Sequence, residues 1–260
     1  MRKTPGGLKD HQKQFIDVFR RATHRHNSWQ VWEDFVLMAA CAISNKVDQQ
    51  HWEQREQMYM ERFGRYDEKE AQIFPELLAI TTEALDANPE QDFLGSLFML
   101  LELGNHWKGQ FFTPYNLCRA MADLTVIDVP RRIRQKGFVS VNDCASGAGA
   151  LLIAFANAAK AKGVNYQQHV LFVGQDVDLT AVAMCYVQLS LLGCPGYVIV
   201  ANTLTEPVVP PDSPMVWYTP MYFHKVWHWR RLFRELDHLT STHKHEQEMI
   251  AEAPEQLTLF

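Results

Sequence analysis

From residue 10 to residue 104 apolar side chains return every three or four positions: Phe15, Val18 and Phe19, then Val31, Phe35, Met38 and Ala42. That period gathers them on one side of a helix. Two more helical stretches are expected over roughly 70–85 and 93–103, separated by the helix-breaking run Asp86-Ala87-Asn88-Pro89. Asn27 or Ser28 is placed to cap the helix that begins at Trp29. Near Gly104 the period changes. Phe138-Val139-Ser140-Val141-Asn142-Asp143 alternates and is β-branched, which predicts a strand. A glycine turn and an alanine-rich helix over 148–162 follow, then a second strand over 170–176. A helix capped by Asp178 runs to Leu192 and stops at Gly193, ahead of a third strand over 196–201.

Strands alternating with helices at this spacing imply a parallel sheet joined by right-handed crossovers, an α/β fold. Prolines at 207, 210, 211, 214 and 220 predict a pause in regular structure, and 223–239 reads as a last helix. The expected organisation is a helical N-terminal region over 1–104, an α/β domain over 105–240 and a solvated tail over 241–260.

At 260 residues the chain is long enough to bury a proper core. Its longest apolar run, Phe35 to Ile43, is too short to span a bilayer. The N-terminus lacks the apolar core of a signal peptide, so a cytoplasmic location with no membrane partner is expected. Five cysteines at 41, 118, 144, 185 and 194 show no CxxC spacing and read as small buried hydrophobes. The net charge of −5 supplies no global field for nucleic acid. Any such contact falls to local patches: Lys9 to Arg25, Arg131 to Lys136 and Lys225 to Arg234. Solvated helix faces would look the same. His224 and His228 are four apart, but the further ligands of a zinc site cannot be placed, so no metal is expected. Trp217, Trp227 and Trp229 suit packing better than base stacking.

Candidate chemistry gathers at the strand ends. The turn Asp143-Cys144-Ala145-Ser146-Gly147-Ala148-Gly149 lets the backbone approach a ligand closely, and the helix after it offers free N–H donors. A plain tight turn or a dehydrogenase could use the same GxG. The second strand ends in Gly174-Gln175-Asp176, where a carboxylate can accept hydrogen bonds from ribose hydroxyls. The third leads into Ala201-Asn202-Thr203-Leu204, whose Asn202 side chain can reach an adenine ring.

About 30 residues before the first strand stands Gly109-Gln110-Phe111-Phe112-Thr113-Pro114. It resembles the GQF(F/Y)TP sequence of the type I-like N6-adenine DNA methylases of restriction–modification systems. The other elements follow in that family's order: DCASGAG for DPACGTG, GQD for GxE or GxD, and ANTL for G-(D/N)-(S/T)-L. Asp92-Phe93-Leu94-Gly95 resembles the link from the family's helical N-terminal domain. The resemblance covers roughly residues 90–205. It implies a Rossmann-like, S-adenosyl-L-methionine-dependent methyltransferase domain acting on adenine N6 of DNA. Phe112 and Thr113 would contact the methionine part of the cofactor. Asp143, Ala145 and Gly147 would line its amino-acid and ribose portion, Asp176 would hold the ribose, and Asn202 would face the adenine.

The Asn-Pro-Pro-Phe/Tyr motif that this family uses to hold a flipped adenine is not present after the third strand. Tyr218-Thr219-Pro220-Met221-Tyr222 stands there instead. Either Thr219, Pro220 and Tyr222 form a divergent version of the motif, or the stretch is a proline-rich loop packing aromatics on the sheet. With no recognisable target-recognition domain, a specificity subunit is the implied partner on DNA. The alternative is an S-adenosylmethionine-binding adaptor without catalysis. The last residues, Gln256-Leu257-Thr258-Leu259-Phe260, resemble the bacterial sliding-clamp-binding peptide, with Gln256, Leu257, Leu259 and Phe260 as the contacts.

Overall fold

A computed structural model describes residues 10–103 and 112–232. The N-terminal helices are α1 (Asp10–Ala22), α2 (Ser28–Ser44), α3 (Trp52–Phe63), α4 (Glu68–Ala71), α5 (Ile73–Ala87) and α6 (Phe93–Leu100). Two more, α7 (Tyr115–Thr125) and α8 (Val129–Lys136), precede β1 (Val139–Asp143). Then come α9 (Ala150–Ala161), α10 (Tyr166–His169), β2 (Val170–Asp176), α11 (Leu179–Leu191), β3 (Gly196–Val200) and β4 (Val216–Tyr218). A 3-10 turn at Pro220–Phe223 leads to a helical segment over 225–232.

The caps explain several boundaries. Asn27 accepts from the Trp29 N–H at 2.9 Å, which decides between the two expected caps of α2. Asp178 accepts from the Thr180 N–H at 2.8 Å and starts α11. Asp92 accepts from the Gly95 N–H at 2.8 Å and starts α6.

The sheet has the order β1-β2-β3-β4, with β1, β2 and β3 parallel and β4 antiparallel against β3. Because side chains alternate along a strand, the sheet has two unlike faces. Val139, Val141, Phe172, Val198 and Trp217 face the helices and join the main core. Ser140, Asn142, Val173, Gln175, Tyr197 and Ile199 line an open groove on the other face, whose floor extends under Pro207–Pro211. Tyr222 and Trp227 cover part of that second face, against Leu171.

Helix α11 is buried from Thr180 to Leu189 because it is covered on both sides, by the sheet and by α2. A helix apolar all round is stable only when so enclosed. The core therefore runs continuously from Phe15 in α1 to Trp217 in β4. Its N-terminal part is an aromatic cluster in which Phe15 meets Phe35 at 5.4 Å and Phe93 at 6.0 Å.

Two side-chain networks tie the N-terminal helices to the sheet and its crossover segments. Buried Gln188 of α11 donates to Asp92 and to the Ala148 carbonyl, and accepts from the Leu94 N–H. This fixes the start of α6 beside the glycine turn. Buried Arg55 donates to Asp48 at 2.6 Å, to Ser44, and across to the Val216 carbonyl at 2.7 Å, with its guanidinium 4.3 Å from the Trp217 ring. His51 lies between the Asp48 carboxylate and the Asp212 carbonyl, each at 3.0 Å. The helical layer thus holds β4 and the loop before it.

Four of the five cysteines are buried as expected, but Cys144 is exposed in the glycine turn. The strand at β4 interrupts the expected pause: the prolines define the loop ahead of it rather than the strand itself. Trp217 and Trp227 are buried, whereas Trp229 is exposed. No described helix is long and apolar enough to cross a membrane.

Candidate functional site

In a parallel sheet with helical crossovers, ligands sit beyond the carboxyl ends of the strands. At that end β1 delivers Asp143, β2 delivers Asp176, and the chain between β1 and α9 curls over both. The Ser146 N–H donates to the Gln175 carbonyl at 3.0 Å, and the Gly149 N–H to the Ser146 carbonyl at 2.8 Å. This curl needs glycine twice. Gly147 has φ of 52° and Gly149 has φ of 94°; a Cβ would stand 2.9 Å from the Phe112 ring at the first and 2.9 Å from Cys185 Sγ at the second.

Asp176 organises the turn. One carboxylate oxygen accepts from the Gly147 N–H at 2.9 Å and the other from the Asp178 N–H at 3.0 Å. A carboxylate has about four lone-pair sites, so both oxygens keep capacity for ribose hydroxyls. Asp143 accepts from the Ala145 N–H at 3.2 Å. Burial pushes the Asp143 carboxyl up, the Ala145 N–H partly offsets this, and the charge of Asp176 raises it further. Two neighbouring carboxylates of this kind favour a ligand that brings positive charge and hydroxyl or ammonium donors.

A cavity of about 150 Å³ opens beside them, lined by Phe112, Thr113, Met121, Asp143, Ala145 and Gly147, with Leu151 of α9 at its edge. The structure therefore brings together five of the seven residues expected to bind cofactor. Asp176 adjoins them through Gly147. Asn202 is exposed on the neighbouring loop, which is tied to the turn by a 2.7 Å hydrogen bond from the Thr203 hydroxyl to the Cys144 carbonyl. Binding pockets for organic ligands commonly exceed 300 Å³. A nucleoside joined to an amino acid would thus place its amino-acid end in the cavity and its nucleoside over the open rim at Asp176 and Asn202. Gly109, Gln110 and Phe111 lie outside the described residues.

The residues expected at the target base lie elsewhere. Thr219 is fully buried; its hydroxyl donates to the Cys194 carbonyl at 2.7 Å and accepts from the Gly196 N–H at 3.0 Å. Tyr222 is buried under the sheet and stacks on Tyr218 at 4.9 Å. Pro220 opens the 3-10 turn. All three belong to the β3–β4 side of the sheet and none lines the cavity. Gln256, Leu257, Leu259 and Phe260 lie outside the described residues.

Sequence reasoning missed Met121 and the two helices α7 and α8 altogether. The signal for α7 was present as Leu117, Met121 and Leu124 at helical spacing, but Cys118 and Ala122 on its opposite side blurred the stripe. Of the three basic patches, the first is largely paired: Arg21 with Glu76, and Arg25 with Asp67 and Glu70. In the third, Arg230 lies over Trp227 and Phe138. The cations of α8 remain exposed.

The model of the family described as N-6 DNA Methylase matches residues 98–256. Among solved structures, the type I restriction-modification system methyltransferase subunit from Streptococcus thermophilus is similar at 19% identity and a TM-score of 0.40. The alignment covers 76% of this chain and 41% of that one, so this chain spans about two fifths of that subunit's length. No curated protein matches.

Proposed function

The chain belongs to the N-6 DNA methylase family, and we propose that it binds S-adenosyl-L-methionine at the Asp143–Gly147 turn and serves methylation of adenine N6 in DNA. The observation that carries the reading is the turn itself. Two positive-φ glycines, a ring packed on Gly147 and a carboxylate on the Gly147 N–H are grouped at the ends of adjacent parallel strands. When bound, the cofactor supplies an electrophilic methyl group.

Position supports the following roles for this chain's residues. Thr113 and the Phe112 ring bound the end of the cavity that takes the methionine part. Asp143 and the start of α9 meet its ammonium and carboxylate, the latter at free helix N–H groups. Asp176 accepts the ribose hydroxyls, and Asn202 faces the adenine ring. A specificity subunit that selects the DNA site is part of the proposal, as is catalysis within the assembled complex. The Gln256–Phe260 tail supports docking on a sliding clamp by its sequence, and a truncation ending at Glu255 tests it by loss of clamp binding.

Calorimetric titration of the purified protein with S-adenosylmethionine tests the cofactor site. Asp176→Ala should weaken binding by tenfold or more, since an interaction with a charged acceptor contributes about 1.5–3 kcal/mol. Equal affinity of the variant and the parent protein would overturn the ribose assignment.

A further inference from the structure

Behind the Asp143–Gly149 turn stands one face of α11. Cys185 lies under Gly149, where a Cβ would meet its Sγ at 2.9 Å. One helical turn further on the same face comes Gln188, which is fully buried and does not line the cavity. Its Nε2 donates to the Ala148 carbonyl at 2.9 Å and to Asp92 Oδ1 at 2.8 Å. Its Oε1 accepts from the Leu94 N–H at 3.1 Å. Asp92 and Leu94 open α6, whereas Ala148 sits between the two positive-φ glycines and is part of the cavity wall. One side chain thus joins the N-terminal helical layer, α11 and the turn.

The chemistry of the three partners leaves little choice of residue. Two are acceptors and one is a donor, so the group between them needs two donor hydrogens and an acceptor, which is an amide. An ionised glutamate has no donor, a lysine has no acceptor, and asparagine is one methylene short of the span. The same partners fix the amide's orientation, because a flip would set its oxygen against both Asp92 and the Ala148 carbonyl. Burial pushes the Asp92 carboxyl up, and the donors from Gln188 and the Gly95 N–H partly offset this. Further along α9, Asn157 makes a separate tie to the same region by donating to the Pro89 carbonyl at 2.8 Å. Gln188 therefore acts at the turn end of α9, and Asn157 holds the body of the helix.

We propose that Gln188 is the positioning residue of the cofactor site. Anchored by Asp92 and the Leu94 N–H, it fixes the Ala148 carbonyl and with it the left-handed Gly147 and Gly149. The Gly147 N–H in turn holds Asp176, so the aim of that carboxylate and of the first α9 N–H groups depends on the α6 start. The inference rests on the cofactor reading above for the identity of the ligand, and the test reads the turn with and without it.

The test compares the parent chain, Asp92→Asn, and Asp92→Asn combined with Gln188→Met. Asparagine keeps an oxygen at Oδ1 for Gly95 and Gln188 and removes the buried charge, so the added methionine strands no carboxylate and the chain still folds. S-adenosylmethionine affinity is measured by calorimetry well below the melting temperature. Hydrogen exchange, read by mass spectrometry without cofactor, follows the amides of 146–150 and, as an internal control, those of 154–160. Asp92→Asn should match the parent in both. Adding Gln188→Met should weaken binding about tenfold, the low end of what losing a ligand-orienting group costs at metal sites. It should also speed exchange of the turn about tenfold, through local opening, with 154–160 unchanged. A lower melting temperature with unchanged affinity would make Gln188 only a brace for α6 and overturn the proposal. Unchanged exchange of the turn, or equal acceleration of both segments, would overturn it too. Selective acceleration of the turn in a chain whose parent form binds no S-adenosylmethionine would refute the cofactor reading and leave Gln188 as the residue that positions the turn.

Discussion

Arg55 offers the sharpest energetic test of how the helical layer holds the sheet. Its side chain is buried, and it reaches from α3 to Asp48, Ser44 and the Val216 carbonyl while lying over Trp217. Arg55→Met keeps most of the apolar volume and removes the charge. Asp48 is then left buried with only His51, and the Val216 carbonyl loses a partner. Removing one member of a buried ion pair costs about 3–5 kcal/mol. The lost guanidinium–indole contact, about 2 kcal/mol when desolvated, overlaps that figure rather than adding to it. The expected loss is therefore about 4 kcal/mol, or roughly 10 °C in melting temperature for a chain of this size. Urea denaturation followed by tryptophan fluorescence measures it. Adding Asp48→Leu should recover about 2 kcal/mol, because the stranded carboxylate is gone, and leave the unpaired Val216 carbonyl as the residue of the effect. A loss below about 1 kcal/mol for Arg55→Met alone would refute the reasoning, since a surface-like pair costs no more than that.

Gly147→Ala should destabilise the protein by about 1–2 kcal/mol, the cost of a side chain in the left-handed region, and weaken S-adenosylmethionine binding roughly tenfold by displacing Phe112; unchanged affinity in calorimetry would refute the cradle. Burial pushes the Asp48 carboxyl up, but hydrogen bonds and charge from His51 and Arg55 outweigh it and hold the group below the usual aspartate range. Its contribution to stability is then present above the unfolded pKa and lost as pH falls through the lower folded one, so Asp48→Asn should flatten the acid limb of the stability curve below the ordinary aspartate range. Of the five thiols, only Cys144 is exposed. Native protein should accordingly release one equivalent of thionitrobenzoate quickly and five after denaturation; two or more fast equivalents would contradict the burial of Cys118, Cys185 and the others.

The elements that patterning predicted are those whose local sequence signals agree with one another. β1 to β3 with α9 and α11 appear within two residues of their expected bounds, because glycine turns, the Asp178 cap and β-branched runs all point the same way. Helix α3 escaped because it buries little beyond Arg55, a charged residue that no hydrophobic period registers. β4 escaped because three residues carry no period; it exists through its pairing with β3 and the hold of Arg55 on Val216. The turn and the carboxylates proposed to hold the cofactor were legible from glycine spacing and acidic strand ends, whereas Phe112 and Thr113 were legible only through the family resemblance. Met121 was not legible, because its place in the cavity depends on how α7 crosses α9. The position of Thr219 was equally illegible: its hydroxyl bridges Cys194 and Gly196, contacts that arise only once β4 folds back on β3.

Modification-sensitive long-read sequencing of genomic DNA from native cells tests the proposed adenine methylation most directly. Cells carrying the parent gene, a deletion and an Asp176→Ala allele are compared, with expression of each protein verified. The account predicts N6-methyladenine at a defined sequence motif, absent from the deletion and strongly reduced with Asp176→Ala. Identical methylation in all three would contradict it.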